Sequence, residues 1–141
     1  MAKIRLEIVT AERSVYSDDV DGIVAPGVVG ELGILPQHAP FMTIIEPGMI
    51  TVRQGGNEQN MAVSGGFIEV RPERIIILAD AAERAEEIDI ARAEEARKRA
   101  EEAKTNAATE GAEAQMAAEA ALARALVRIK VAQRRRREKP V

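Results

Sequence analysis

In the segment Glu86 to Ala100, EEIDIARAEEARKRA, a carboxylate and a guanidinium stand three residues apart, at Asp89 and Arg92. On a helix that spacing brings both to one face, where together they can hold a ligand. Asp is also a preferred helix N-cap, where its carboxylate accepts backbone N–H groups and sits at the positive end of the helix dipole. A capping box would place Glu or Gln at the third helical position, and Arg92 stands there instead. The cap reading therefore accounts for Asp89 and gives no reason for Arg92. On the residues alone both readings stand.

Other candidate chemistry is sparse. The single histidine, His38 in LPQHAPF, would serve as a general base only beside a nucleophile or a second proton-transfer group, and none accompanies it. Its plainer reading is a turn residue between Pro36 and Pro40. One histidine and no cysteine argue against a His- or Cys-ligated metal and rule out disulfides and thiol chemistry. There is no glycine-rich phosphate loop of the GxxxxGK type, which argues against nucleotide hydrolysis by this chain. No catalytic residue and no catalytic cofactor are expected.

Charge is unevenly distributed. Residues 1–84 carry 7 basic and 12 acidic side chains, residues 85–123 carry 5 and 10, and residues 124–141 carry 8 and 1. The basic end, KVAQRRRREKP, lacks the aromatic platforms of a nucleic-acid binder, so it reads as a solvated helix end or as a grip for an acidic partner.

The elements that must position these residues follow two different periods. In KIRLEIV, Ile4, Leu6 and Ile8 alternate with Lys3, Arg5 and Glu7, the pattern of a half-buried strand. VDGIVA, FMTII, MITVRQ, NMAV, GFIEV and RIIILA follow as short strands. Eight of the ten glycines fall between Gly27 and Gly66, and five of the six prolines between Pro26 and Pro72. Turns this frequent predict an antiparallel sandwich or barrel, with the paired glycines of RQGGNEQ as its clearest hairpin. From Ala85 to Ala125 there are 16 alanines and one glycine, Gly111. Alanine, Glu, Lys and Arg are strong helix formers, and TNAATEG interrupts them, which predicts helices near 89–104 and 112–136. Met116, Leu122, Leu126 and Ile129 are expected to form the apolar stripe of the second helix, and Ile88, Ala91, Ala96, Ala100 and Ala103 to pack from the first. Alanine buries little area, so the helices should be weakly held and able to move. The expected fold is α+β: an N-terminal antiparallel β-sandwich over 1–84, then a C-terminal antiparallel two-helix hairpin over 85–141. No stretch approaches the roughly 20 apolar residues of a membrane span, and no cleavage site follows MAKIRLEIV, so a soluble, unprocessed chain without membrane insertion is expected.

At this point the sequence resembles a known family. APGVVGELGILPQHAPFMTIIEPGMITV, followed by AVSGGFIEVRPERIIILADAAERAEEIDIARA, is similar to the epsilon subunit of F-type ATP synthases, and the resemblance covers the whole chain. It implies a non-catalytic subunit at the foot of the rotating central stalk. The sandwich would contact the gamma subunit and the membrane-embedded c ring, the latter through the loop from Gly30 to Pro40 with Glu31 and His38. The hairpin would fold against the sandwich or extend toward the catalytic head and impede ATP hydrolysis. In bacterial members a motif of Ile or Leu, Asp, two variable residues, Arg and Ala binds ATP in the folded state, and Ile88, Asp89, Arg92 and Ala93 match it. By alignment of ALARALVRI, Arg124 and Arg128 match the family's phosphate-contacting arginines; Glu83 and Arg99 are further candidates. Guanidinium forks suit phosphates. The resemblance also implies that Arg134, Arg135, Arg136 and Arg137 meet an acidic segment of the beta subunit, and it places the chain at the cytoplasmic face of a bacterial membrane. The alternative is a free-standing β-sandwich interaction module with a basic helical arm, which a pull-down for gamma and beta subunits distinguishes.

Overall fold

The computed structural model describes residues 2–138, with side chains to residue 134. It divides into two compact units, Met1–Ala85 and Glu86–Val141.

The first unit is a ten-stranded sheet folded into a sandwich: β1 (Ile4–Val9), β2 (Ser14–Val20), β3 (Gly22–Gly27), β4 (Gly30–Ile34), β5 (Phe41–Ile45), β6 (Gly48–Gln54), β7 (Asn57–Val63), β8 (Gly66–Val70), β9 (Arg74–Ala79) and β10 (Ala82–Arg84). The strand order is β10-β7-β6-β3-β5-β8-β9-β1-β2, with β4 on the side of β3. The two layers join through β3 and β5, which share a single bridge at Gly27 and Ile45. Ile4, Leu6 and Ile8 point into the core with no exposed surface, as their alternation predicts, and meet Ile45, Ile50, Val52, Met61, Ile68, Ile75 and Ile77 there. At the β6–β7 turn Gly55 and Gly56 have φ of 60° and 83°, the two positive values that a two-residue hairpin needs.

Several details depart from the sequence expectation. One strand pair is parallel, β1 with β9, because the N-terminal strand inserts between β9 and β2. β2, β4 and β10 were not expected. In β2 a register shift opposite Ile8 and Val9 lets neighbouring Val15 and Tyr16 both turn inward, which breaks the alternation a strand reading relies on. β4 contains Gly30 and Gly33 and reads as a turn until its pairing with β3 is seen; the Gly30–Pro40 loop is thus a strand through Ile34 followed by a turn.

Tyr16 is 5% exposed. Burial, helped by the Asp18 carboxylate, pushes its phenol above the ordinary value of 10.0, while the Arg84 guanidinium opposes the shift. A pKa raised on folding means that the stabilisation is complete below the unfolded value and fades as pH rises through the folded one. Titration of the single tyrosine by absorbance is expected to give a midpoint above 10.0 for the folded chain and near it in denaturant.

A short 3-10 turn, Ala85–Glu87, spans the boundary, and the second unit holds α1 (Ile90–Ala107) and α2 (Ala112–Glu138), which pack on each other. α1 is longer than expected by one turn at its C-terminal end. The apolar stripe expected in α2 is buried only in part: Ile129 is buried, but Met116 is 70% and Leu126 48% exposed, and the other buried positions are Ala118, Ala125, Val131 and Ala132. In α1 the buried positions are Ala93, Ala100 and Ala107, with Ala91 and Ala103 exposed. Both helices bury alanine every seven residues, two helical turns, and α2 buries Ile129 and Val131 as well.

Candidate functional site

The chain approaching α1 is extended at Asp89, with φ −87° and ψ 108°, and the Asp89 carboxylate accepts the Arg92 backbone N–H at 3.2 Å. Asp89 is therefore the N-cap. This uses Arg92 only through its amide; its side chain is exposed. Ile88 and Ala93 are buried beside it, Ala93 completely. Truncating the cap, Asp89→Ala, is expected to cost about 1 kcal/mol of helix stability and to speed exchange of the Arg92 amide, read by hydrogen exchange.

Helix geometry brings the other basic candidates to the same end of the hairpin. Arg92 lies 15 residues before the end of α1, and Arg124 and Arg128 lie 12 and 16 residues after the start of α2. With equal rise per residue in both helices, Arg124 and Arg128 bracket the level of Arg92, about 4.5 Å to one side and about 1.5 Å to the other. Arg124 is exposed and Arg128 half-buried, and Arg99, also exposed, follows Arg92 by two turns on α1. Arg97 is engaged within α1 instead, by Glu94 at 3.0 Å and Glu101 at 2.9 Å, and these carboxylates raise its pKa. Glu83 stands on β10 in the other unit, paired with Ala62. Arg134 is exposed near the end of the described side chains. Arg135, Arg136 and Arg137 fall on α2, but their side chains lie outside the described residues.

On the sandwich, Glu31 is exposed on β4 opposite Pro26. His38 follows a turn in which Gln37 has a φ of 63°. Its Nδ1 donates to the Ala39 carbonyl at 2.8 Å, and its ring lies 5.2 Å from that of Phe41. These contacts fix a surface turn and provide no partner for proton transfer. Val28 and Val29, at the tip of the β3–β4 hairpin, are exposed as well.

A surface that sequence reasoning missed lies on the outer face of the β5-β8-β9 layer. Ile44, Phe67 and Leu78 are 50%, 54% and 56% exposed, and they are direct cross-strand neighbours: Ile44 opposite Phe67, and Phe67 opposite Leu78. Met42 extends the row along β5, and Val9 sits beside Leu78 on β1. Directly opposed large side chains form one continuous apolar stripe. Its signal was present in RIIILA, where apolar residues occupy both faces of the strand. No cluster of metal-ligating residues occurs among the described residues, and none of their helices is long and apolar enough to cross a membrane.

Comparison with known proteins gives this geometry its context. The profile described as the beta-sandwich domain of the ATP synthase Delta/Epsilon chain matches residues 3–85, and that of its long alpha-helix domain matches residues 86–133. The chain is 55% identical over 141 residues to the ATP synthase epsilon chain of Dehalococcoides mccartyi, covering 100% of both. It belongs to the ATP synthase epsilon-chain family. The epsilon chain of Chloroflexus aurantiacus is 62% identical over 94 residues, 67% of this chain and 68% of that one. Among solved structures, a chain of the Euglena gracilis mitochondrial ATP synthase, in its OSCP/F1/c-ring assembly, superposes with a TM-score of 0.76 at 25% identity, over 87% of this epsilon-family chain and 77% of that one. A chain from the central stalk and c-ring of the Tetrahymena thermophila enzyme shares the fold, with a TM-score of 0.51 at 18% identity over 62% and 70%. The chain is thus a subunit of ATP synthase, and its sandwich and paired helices are those of the epsilon family.

Proposed function

We propose that this chain is a non-catalytic rotor subunit that couples the gamma subunit to the c ring and regulates ATP hydrolysis through its helices, at the cytoplasmic face of a bacterial membrane. Full-length similarity to curated epsilon chains is the observation that carries this reading. The stripe of Ile44, Phe67 and Leu78 supports it physically, because contiguous exposed apolar surface is the mark of a docking face. We assign that stripe to the gamma subunit, and the end of the sandwich with Glu31 and His38 to the c ring.

In the same reading ATP is the regulatory ligand of the helices. Ile88 and Ala93 contribute apolar contact for the base, Asp89 a hydrogen-bond acceptor, and Arg92, Arg124 and Arg128 the phosphate contacts, with Glu83 and Arg99 as further candidates. What supports this is that Arg124 and Arg128 bracket the level of Arg92 along the paired helices, and that the Arg92 side chain is exposed beyond its capping role. ATP shifts the helices between two states only through a difference in its affinity for them. In the extended state the basic end, Arg134 to Arg137, meets the acidic segment of the beta subunit. Reconstitution tests the rotor reading: the chain is expected to co-purify with gamma and the c ring from a complex assembled without its native epsilon subunit. Failure to enter that complex would sink it.

A further inference from the structure

β10, the strand from which the chain passes to the helices, is held differently at its two edges. On one side it has a backbone ladder to β7, through Ala82 and Val63, Glu83 and Ala62, and Arg84 and Met61. On the other it faces β2, the strand at the opposite end of the sheet order. Across that seam two arginines reach in opposite directions. Arg84 Nε donates to the Val15 carbonyl at 2.8 Å, and Arg13 Nη2 donates to the Ala82 carbonyl at 3.4 Å. The Arg84 guanidinium also lies 5.6 Å from the centre of the Tyr16 ring.

We propose that Arg13 and Arg84 form a clasp that closes the sandwich over Tyr16 at the β10–β2 seam, and that opening it frees the root of the helices. A three-residue strand contributes few ladder bonds, so charge-assisted bonds from two guanidinium groups carry a large share of its attachment. The cation over the Tyr16 ring adds to the closed state. The Tyr16 hydroxyl works against it: it is buried and has no protein hydrogen-bond partner. A buried unpaired hydroxyl regains its hydrogen bonds when the seam opens. The closed seam is therefore held by side chains and opposed by the group beneath it, which suits a contact that must release. Arg84 is the last residue on the sheet; the 3-10 turn and the Asp89 cap follow directly. The link to regulation rests on the function proposed above, while the clasp itself does not.

The chain has one tyrosine and no tryptophan, so its intrinsic emission reports this seam alone. The test is acrylamide quenching of Tyr16 in the full chain, with hydrogen exchange at Ala82 to Arg84, for wild type, Arg13→Met, Arg84→Met and the double variant. Methionine keeps an apolar stem in place of the arginine's. The expected result is protected emission in wild type, graded loss of protection in the variants, and exchange at β10 faster by about tenfold in Arg84→Met with β1 unchanged. Unchanged quenching and exchange in the double variant would overturn the clasp, as would equal acceleration at β1 and β10. Arg13→Met, which removes the longer bond, keeps the test readable if the double variant does not fold. If the seam opens but inhibition of hydrolysis in the assembled enzyme does not change, while wild type still responds to ATP, the coupling of clasp to helices is overturned and the regulatory reading survives.

Discussion

Phe67→Glu should leave the isolated chain folded and remove it from its complex with the gamma subunit. Phe67 is 54% exposed on the outer face of β8, so a glutamate there meets water and the thermal midpoint should move little. In a docked stripe the same carboxylate would lie between Ile44 and Leu78 and against the partner, buried without a counter-charge. Central apolar anchors of an interface commonly carry about 2–4 kcal/mol each, and an unpaired buried charge adds to that loss. The expected weakening is therefore at least about 30-fold, measured by binding of the purified gamma subunit to immobilised chain. Leu78→Glu, next in the row, should behave alike. Wild-type affinity in both variants would show that gamma docks elsewhere.

One residue earlier the expected outcome reverses. Gly66 opens β8, pairs with Ile45 on one side and Ala79 on the other, and has a φ of +145°. A Cβ there would sit 2.0 Å from the Leu78 carbonyl oxygen and 2.9 Å from the Ala79 Cα. Both obstacles are backbone of the neighbouring strand, so no side chain can swing away; the strands must part or the backbone must change region. Gly66→Ala is expected to cost at least about 3 kcal/mol, a drop on the order of 15 °C in the melting midpoint by circular dichroism. Gly56→Ala is the control, since Gly56 shares a positive φ but its Cβ would enter open space. A Gly66→Ala midpoint within a few degrees of wild type would contradict the packing described.

These neighbours show which parts of the molecule are legible in sequence. Ile4, Leu6 and Ile8 announce β1 because one face of a strand is core and the other solvent, and Gly55-Gly56 announces its turn because few other residues take two positive φ values. Each is a local demand. β10 is three residues long and exists only because β7 lies beside it, and the parallel partner of β1 comes from the far end of the sandwich. Nothing local encodes either. The helical seam was legible only in part: Ile88, Ala100 and Ile129 are buried as expected, whereas hydropathy also favours Met116 and Leu126, which are exposed, and passes over Ala118, Ala125 and Ala132, which are buried.

The candidate sites divide in the same way. Asp89 is legible as a cap, since the residue and the helix start are adjacent in the chain. The stripe was not legible, because β5, β8 and β9 each contribute one side chain and only their register aligns Ile44, Phe67 and Leu78. That Arg124 and Arg128 bracket the level of Arg92 depends on how sharply the chain turns between α1 and α2. The break near Gly111 was visible, but the lengths of the helices beside it decide the match.

Regulation by ATP is tested most directly by titration calorimetry of ATP into the purified chain, with Arg92→Ala and Arg124→Ala alongside. Saturable heat in wild type, absent or strongly weakened in both variants, is the expected result, and it would make the start of α1 half of a nucleotide site. No heat at millimolar ATP, or undiminished binding in both variants, would contradict it and leave Asp89 as the cap of α1 alone.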